Sequence, residues 1–191
     1  GYAATSVDEI CAAAGVSKGA FFHHFASKEE LGVAAAEQWT ARAEELIFTL
    51  PHWVRIEDPL ERLLAHIDFR LFMMEGPAEG FTCFVGTMVQ EAYSASDDIR
   101  EACRRSIEGH AETLEADIAA ALENRSAAGQ FGAKSLALYT QAALQGAFIL
   151  AKAKGGAEIA ADSIDHLTRY LELLFGSEVS NGSHEIRLRG E

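Results

Sequence analysis

The side chains best suited to contact a polyanion are concentrated between residues 15 and 28 of this 191-residue chain. Hydroxyls, lysines and the backbone amides at a helix start donate hydrogen bonds to phosphate oxygens, and lysine also reaches the O6 and N7 acceptors of guanine. The chemistry predicted for this segment is therefore contact with double-stranded DNA. The candidate contact residues are Thr5, Ser17, Lys18, Gly19, Ala20, Phe22, His23, His24 and Lys28.

Several of these residues have a defined expected role. Lys18 and His23 are expected to face the bases or phosphates, and Ala20 offers a methyl group that suits a thymine methyl. Lys28 and Thr5 are expected to anchor phosphates. Base choice would then depend on a few side chains of one short helix.

Two short helices around a glycine turn must position these residues. Ser6 and Glu9 form a capping-box pattern that predicts the start of the first helix, and Gly15 predicts its end. Ser17 predicts the start of the second helix. Its apolar side, of which we expect at least two members to be buried, consists of Phe21, Phe22 and Phe25. A helix-turn-helix of this kind places its second helix in a major groove.

This segment resembles the TetR family of bacterial transcriptional regulators. The family pattern is matched by Thr5, residues 14–17, Gly19, Phe22, His24, Phe25 and Lys28. The resemblance covers about the first thirty residues closely and the rest only in length, helical pattern and Gln145-Gly146. It implies an N-terminal reader of DNA followed by a helical body that binds an effector and forms a dimer.

The chain departs from the family pattern in two places. Phe22 stands where the family usually has tyrosine, so a hydroxyl that could reach a phosphate is missing. The family also has a full helix before the motif, whereas this sequence begins at Gly1. We therefore expect that a further segment belongs before Gly1.

Composition predicts an all-α protein, because 49% of the residues are hydrophobic and only three are proline. No apolar run reaches the length of a membrane span, so we expect a cytoplasmic protein with no membrane partner. The three cysteines lack metal-binding or redox spacing, and we expect reduced thiols, no cofactor and no metal.

The net charge of −13 argues at first against DNA binding. Residues 1–31 hold two lysines against four carboxylates, a net charge of −2, so most of the acid lies elsewhere. The motif alone is expected to bind weakly, which makes pairing of two readers necessary.

Helix signals divide the chain into residues 1–49, the reader with a linking helix, residues 50–175, an effector-binding and dimerisation body, and residues 176–191, a tail. A second capping box at Ser27 to Glu30 opens the linking helix, which Pro51 ends. The predicted helices after the motif are 28–50, 59–74, 82–93, 99–124, 134–154 and 159–175.

The last two predicted helices are candidates for a dimer interface. Helix 134–154 is apolar on most faces, which indicates full burial, and its small residues permit close approach of another helix. The interface is predicted to consist of Ala143, Gly146, Ala147, Leu150, Leu167, Leu171 and Leu174. A symmetric dimer would present two readers to a palindromic operator.

Aromatic, methionine and polar residues in the middle of the chain have the character of a ligand pocket. The predicted lining is His66, Phe69, Arg70, Met73, Phe84, Met88, His110 and Tyr139. The resemblance implies an effector among these helices, and the sequence leaves its identity open. We expect a repressor rather than an activator.

Cys83 provides an alternative, since it stands at a predicted helix N-terminus whose dipole favours a thiolate. It could sense oxidants or electrophiles; the competing interpretation is an inert packed residue. Cys11 and Cys103 are expected to be inert.

Two other classes of function have less support in the sequence. An enzyme could use His66, Cys83, Glu91 and His110, but they lie on separate segments without a nucleophile elbow or phosphate loop. We therefore expect no catalysis. A helix-turn-helix adaptor that binds protein instead of an operator is the remaining alternative.

Overall fold

A computed structural model describes residues 1–49, 55–74, 76–125 and 131–176, and within these residues all regular secondary structure is helical. The all-α prediction is confirmed for this part of the chain. The predicted stop at Pro51 and the tail after Gly176 lie outside it. The α helices are α1 (Val7–Ala14), α2 (Lys18–His24), α3 (Lys28–Ala43), α4 (Pro59–Phe72), α5 (Ala78–Phe81), α6 (Phe84–Ala92), α7 (Asp97–Asn124), α8 (Ala133–Lys154) and α9 (Glu158–Leu174).

The caps predicted for the first two helices are present. The Glu9 N–H donates to Ser6 Oγ at 3.2 Å, and the Ser6 N–H donates to Glu9 Oε2 at 2.7 Å. Gly15 ends α1 with a φ of 67°, a conformation that costs glycine little. The Ala20 N–H donates to Ser17 Oγ at 3.1 Å and so begins α2. Short-range chemistry therefore determines this turn.

The cap before α3 differs from the predicted box. The Glu30 N–H donates to Ser27 Oγ at 3.0 Å, but the Glu30 carboxylate accepts from the Ala26 N–H rather than from Ser27. The helix also changes character earlier than predicted, because Glu44–Thr49 is a π-helix. A wider turn of this kind leaves no clear signature in hydrophobic periodicity.

The predicted helix 82–93 is present as α6, Phe84–Ala92, and a short helix that was not predicted, α5, precedes it. Thr82 is extended, with a ψ of 160°, and separates the short α5 from α6. Pro77 stands at the start of α5, where its fixed φ and missing N–H are tolerated. The apolar residues continue across the break, so their spacing alone could not reveal it.

The first compact unit combines residues 1–43 with residues 84–107, so it includes α6 and the beginning of α7. The predicted reader, 1–49, was continuous in sequence. α6 packs against α3, with the rings of Trp39 and Phe84 6.0 Å apart. A Cβ on Gly32 would lie 3.0 Å from Ile99 Cδ1, so glycine permits this close approach. Periodicity identifies an apolar face but not the element that covers it.

The second unit combines residues 44–83 with those from 108 onward. Within it α8 packs against α9, α9 against α4 and α8 against α5. Arg62 on α4 donates from Nη2 to Asp117 Oδ1 on α7 at 2.7 Å, a half-buried ion pair. The fully buried aliphatic core includes Leu60, Leu63, Leu64, Ile67, Leu114, Ile118, Ile164 and Leu171.

Among the described helices, none combines the length and the apolarity that are needed to cross a bilayer.

Candidate DNA-reading and ligand-binding sites

The second helix of the turn, α2, is attached to the first unit by one side and exposed on the other. Phe21 is buried, and Phe25 is half-buried with its ring 5.8 Å from that of Phe21. At least two phenylalanines were expected to be buried; one is buried and a second is partly so. Phe22 is 53% exposed and stands beside the contact residues. The exposed side chains of this segment are Ser17, Lys18, Ala20, Phe22, His23 and His24.

Lys18 lies on this exposed surface but is paired. Its Nζ is 2.7 Å from Asp8 Oδ1 on α1, and the hydrogen bond and charge of Asp8 raise the pKa of Lys18. The lysine therefore stays protonated, yet a phosphate must compete with a carboxylate for it. This pair was not predicted from the sequence, although acidic Asp8 and basic Lys18 stand on either side of the Gly15 turn.

The exposed surface of α2 also contains two imidazoles and a site open to close approach. The rings of His23 and His24 meet edge to face with centroids 5.1 Å apart. A Cβ on Gly19 would meet only Ser17 Oγ, at 3.7 Å, so the backbone is open there. A helix surface with small residues beside hydrogen-bond donors can approach the wall of a DNA groove closely.

The structure gives Lys28 a role other than the predicted phosphate anchor. Its Nζ donates to the carbonyl oxygens of Tyr2 at 2.9 Å and of Thr5 at 3.0 Å, and it lies 4.4 Å from the centroid of the Tyr2 ring. Thr5 Oγ1 in turn donates to the Gly1 carbonyl at 2.7 Å. Both side chains hold the N-terminal segment in place, because the local carbonyls already occupy their donors.

Half of the predicted ligand pocket lies together in the second unit. His66 is buried, and burial, followed by the charges of Arg70 and His110, holds its pKa well below the ordinary value. Burial and Arg70 lower the pKa of His110 to about 4. Both imidazoles are therefore neutral at pH 7. Phe69 is half-buried on the same helix as His66 and Arg70.

Phe148 joins this group, and the sequence prediction missed it. It is buried on α8, and the guanidinium carbon of Arg70 lies 5.6 Å from its ring centroid. Because α8 is apolar on most faces, the spacing of its apolar residues does not distinguish Phe148 from ordinary core residues.

The other predicted pocket residues lie elsewhere. Phe84 and Met88 belong to the first unit, where they line a cavity of about 350 Å³ with Tyr2, Ile10 and Leu31. Met73 is 38% exposed. Tyr139 is half exposed, and its ring centroid lies 5.4 Å from that of Tyr170.

Tyr139 must therefore be moved from the predicted pocket to the outer surface of the last two helices. A ring that is half exposed beside another exposed ring does not line an enclosed site.

The predicted dimer interface also divides into buried and exposed parts. Ala147, Leu167 and Leu171 are buried within the single chain, because α8 and α9 pack against each other there. They are core residues of the single chain, so the dimer contacts predicted for them are not available at its surface. Ala143, Gly146 and Leu174 are half-buried, and Leu150 is exposed.

The exposed surface of α8 and α9 instead has large apolar residues that the sequence prediction left out. On α8 they form two adjacent pairs that lie eleven positions, about three turns, apart, and on α9 they lie three positions apart, so each set is on one side of its helix. We call them the outer α8–α9 face; they are Leu138, Tyr139, Ile149, Leu150, Tyr170 and Leu173.

Cys83 immediately precedes α6, as predicted, but its side chain is only 6% exposed. Redox-sensing thiols are solvent-accessible, so this burial favours the packed-residue interpretation. Cys11 and Cys103 are buried as well. Within the described part of the chain, no group of three His, Cys, Asp or Glu side chains could hold a metal ion.

Comparison with known families identifies the fold. The family model of bacterial regulatory proteins of the tetR family matches residues 1–35, and the model of the tetracyclin repressor-like C-terminal domain matches residues 59–167. The chain belongs to the TetR family. This assignment agrees with the helix-turn-helix geometry of α1 and α2 and with the helical body that follows.

Two curated relatives resemble this TetR-family chain over different lengths. Transcriptional regulator AcuR of Cereibacter sphaeroides is 34% identical over 105 residues, which are 53% of this chain and 46% of AcuR. HTH-type transcriptional repressor DhaR of a Mycobacterium species is 26% identical over 152 residues, covering 80% of this chain and 74% of DhaR. The chain thus spans about half the length of AcuR.

Solved structures of TetR regulators share the fold. A regulatory protein TetR from Rhodobacter sphaeroides has a TM-score of 0.70 and 26% identity, covering 91% of this chain and 89% of its own. A TetR-family regulator from Agrobacterium tumefaciens has a TM-score of 0.73 at 24% identity and supports the fold alone. The family and these relatives are transcriptional regulators rather than enzymes.

Proposed function

We propose that this chain is a sequence-specific DNA-binding repressor that acts as a homodimer and is released by a small-molecule effector. The observation that supports it most directly is α2, held by two caps and a buried Phe21 while its other residues face solvent. An exposed second helix with a lysine, a glycine and two histidines suits insertion into a major groove. The description of DhaR as a repressor supports the direction of regulation.

The dimer is proposed to form through the outer α8–α9 face. Its large apolar residues are between 41% and 67% exposed in the single chain. Contiguous exposed apolar residues indicate an interaction surface. A two-fold symmetric pairing of this face would bring two copies of α2 to a palindromic operator with half-sites about one DNA turn or more apart.

Release of DNA is proposed to follow from effector binding near His66, Phe69, Arg70 and His110. A ligand shifts an equilibrium only by its difference in affinity for the two forms. Tenfold tighter binding to the form that cannot bind DNA supplies about 1.4 kcal/mol per site. Burial keeps the imidazoles of His66 and His110 neutral at pH 7, so a ligand that binds there would contact uncharged rings.

The test is selection of operators from a random duplex library by the full chain, followed by titration at several salt concentrations. A dimer should select a palindrome, and the logarithm of the affinity should fall linearly with the logarithm of salt concentration. Leu173→Asp provides a folded control that cannot pair through the outer α8–α9 face. If the full dimer selects no sequence, the regulator proposal is wrong and the adaptor alternative is favoured.

A further inference from the structure

The three phenylalanines at α2 have different surroundings. Phe21 is 5% exposed, and Phe25 is half-buried beside it. Phe22 is 53% exposed, although a phenylalanine ring has no polar atom that could bond to water. Its ring meets that of Phe21 edge to face, with 5.1 Å between the centroids and an angle of 82° between the planes. The fold therefore supports this ring from below with a buried residue and leaves much of it uncovered.

The helix determines which neighbours Phe22 has on the exposed surface. Each residue advances an α-helix by about 100°, so Ala20 and Phe22 lie about 200° apart around α2. His23 lies between these two flanks, opposite the buried Phe21. Lys18, four positions before Phe22, is on the same flank as the ring. All four exposed residues belong to one surface, but Ala20 and Phe22 occupy its two opposite edges.

The chemistry of an aromatic ring limits what it can contact in a DNA groove. Contacts to phosphate and sugar are mostly hydrogen bonds from donors, and a phenylalanine ring has none to give. The base edges in the major groove present donors, acceptors and one apolar substituent, the 5-methyl group of thymine. Contact between the ring and this methyl group removes apolar surface of both from water, which is favourable.

We propose that Phe22 contacts the 5-methyl group of a thymine in each operator half-site and so determines base specificity at that position. The proposal rests on the proposed function, because it names a base that sequence-specific binding reads. Phe22 lacks the hydroxyl that could reach a phosphate, and its ring contributes to base choice instead. Its thymine differs from any that Ala20 contacts, because the two side chains lie on opposite flanks of α2.

The first measurement uses the unaltered full chain and the operator that it selects from a random duplex library. Each thymine is replaced singly by deoxyuridine, which keeps the base pair and removes only the 5-methyl group. At one thymine of each half-site the replacement should weaken binding about three- to fivefold, the effect of one buried methyl group. If no replacement weakens binding, the proposal is wrong.

The second measurement assigns the sensitive thymine to a side chain. Phe22→Ala should weaken binding to the thymine operator and should bind the thymine and uracil operators equally at that position. Ala20→Ser, on the opposite flank, should keep the preference for thymine there. A preference retained in Phe22→Ala, or lost in Ala20→Ser, would overturn the proposal, since another side chain would then contact the methyl group.

Two further variants separate base reading from folding. Phe22→Gln has a polar side chain with good helix propensity, and it should lose the thymine preference as Phe22→Ala does. Phe72 on α4 is another phenylalanine with an exposed ring, at 62% exposure, and Phe72→Ala should retain both the operator affinity and the thymine preference. Loss of the preference in Phe72→Ala as well would make it a general effect of removing an exposed ring and would overturn the proposal.

Failure of this inference can be distinguished from failure of the regulator proposal. Selection of no sequence by the full chain would reject both, because no base would then be read. Selection of an operator whose affinity is unchanged by every uracil replacement would reject the role of Phe22 alone and leave the regulator proposal supported.

Discussion

The helix-turn-helix and the α4 region of the second unit use their charged groups in opposite ways. Around α2 the polar side chains are exposed and can contact a partner that arrives from solvent. On α4 the side chains of His66 and Asp68 are buried, whereas those of Arg62 and Arg70 are half-buried. Exposure leaves the α2 side chains available to DNA, whereas burial on α4 lowers the pKa of His66.

The largest expected effects come from two leucines of α9, a buried one that should stabilise the fold and an exposed one that should stabilise the dimer. Leu171 is fully buried, and Leu171→Ala should lower the free energy of unfolding by about 2–5 kcal/mol. Leu173 is 67% exposed, and Leu173→Asp should leave the fold intact but weaken the dimer about 100-fold or more, because it buries an unpaired charge. Denaturant unfolding and analytical ultracentrifugation measure the two effects. A dimer unaffected by Leu173→Asp would contradict the proposed interface.

A fall in pH should destabilise the protein through His66 and His110, because burial lowers the pKa values of both side chains. As the pH falls below 6.5, the ordinary histidine pKa, the unfolded chain takes up protons that His66 and His110 in the folded chain do not. The free energy of unfolding should therefore decrease with falling pH, and for His110 the loss continues to about pH 4, at up to about 1.4 kcal/mol per pH unit.

The matched variants for this pH dependence are His110→Gln and His166→Gln. Denaturant unfolding between pH 7 and pH 4 should show a smaller loss of stability in His110→Gln than in the wild type. His166 is exposed on α9, and His166→Gln is the control for replacing a histidine side chain by glutamine. Equal pH dependence in His110→Gln and the wild type would show that His110 is solvated rather than buried.

Lys18 and Lys28 in the first unit differ in their availability to DNA, because Lys18 is exposed whereas Lys28 donates to two backbone carbonyls. Lys18→Met should weaken operator binding about tenfold and reduce the log–log salt slope by about 0.9. Lys28→Met should keep the slope but lower the free energy of unfolding by about 1–3 kcal/mol, because two carbonyls lose their donor. If Lys28→Met reduced the slope as Lys18→Met does, Lys28 would contact phosphate after all.

The smallest expected effect concerns the carboxylate that competes with DNA for Lys18. Asp8→Asn removes the ion pair at 2.7 Å and should strengthen operator binding by a few-fold, roughly the range of an exposed pair. Asp98→Asn, an exposed acid elsewhere in the first unit, serves as the control for net charge. Mobility shifts at low salt detect the difference. Equal gains from both substitutions would mean that net charge alone matters.

Local signals were sufficient for the turn but not for the sites. Ser6 and Gly15 predicted the start and end of α1, and Ser17 predicted the start of α2, because a cap is a contact between residues three or four positions apart. Lys28 was assigned to phosphate because its carbonyl partners, at Tyr2 and Thr5, lie more than twenty residues away. No pattern in sequence reports such a contact.

The same limit explains the errors in the body. The apolar pattern of α8 and α9 predicted burial correctly, but each helix has both a face toward its neighbour and an outer face. Ala147 and Leu171 therefore belong to the core, whereas Tyr139, Ile149 and Leu173 form the outer surface. Periodicity separates apolar from polar sides but cannot assign two apolar sides to two different partners.

The sequence by itself determined the helical class, the capped turn and the family, since these depend on short-range contacts and on the order of residue types. Only the tertiary structure decided which cations are neutralised. Lys18 meets Asp8, Lys28 meets two carbonyls, Arg62 meets Asp117, and Arg70 meets an aromatic ring. The physical reason is that charge compensation depends on distance in space, and folding brings together residues that the chain order separates.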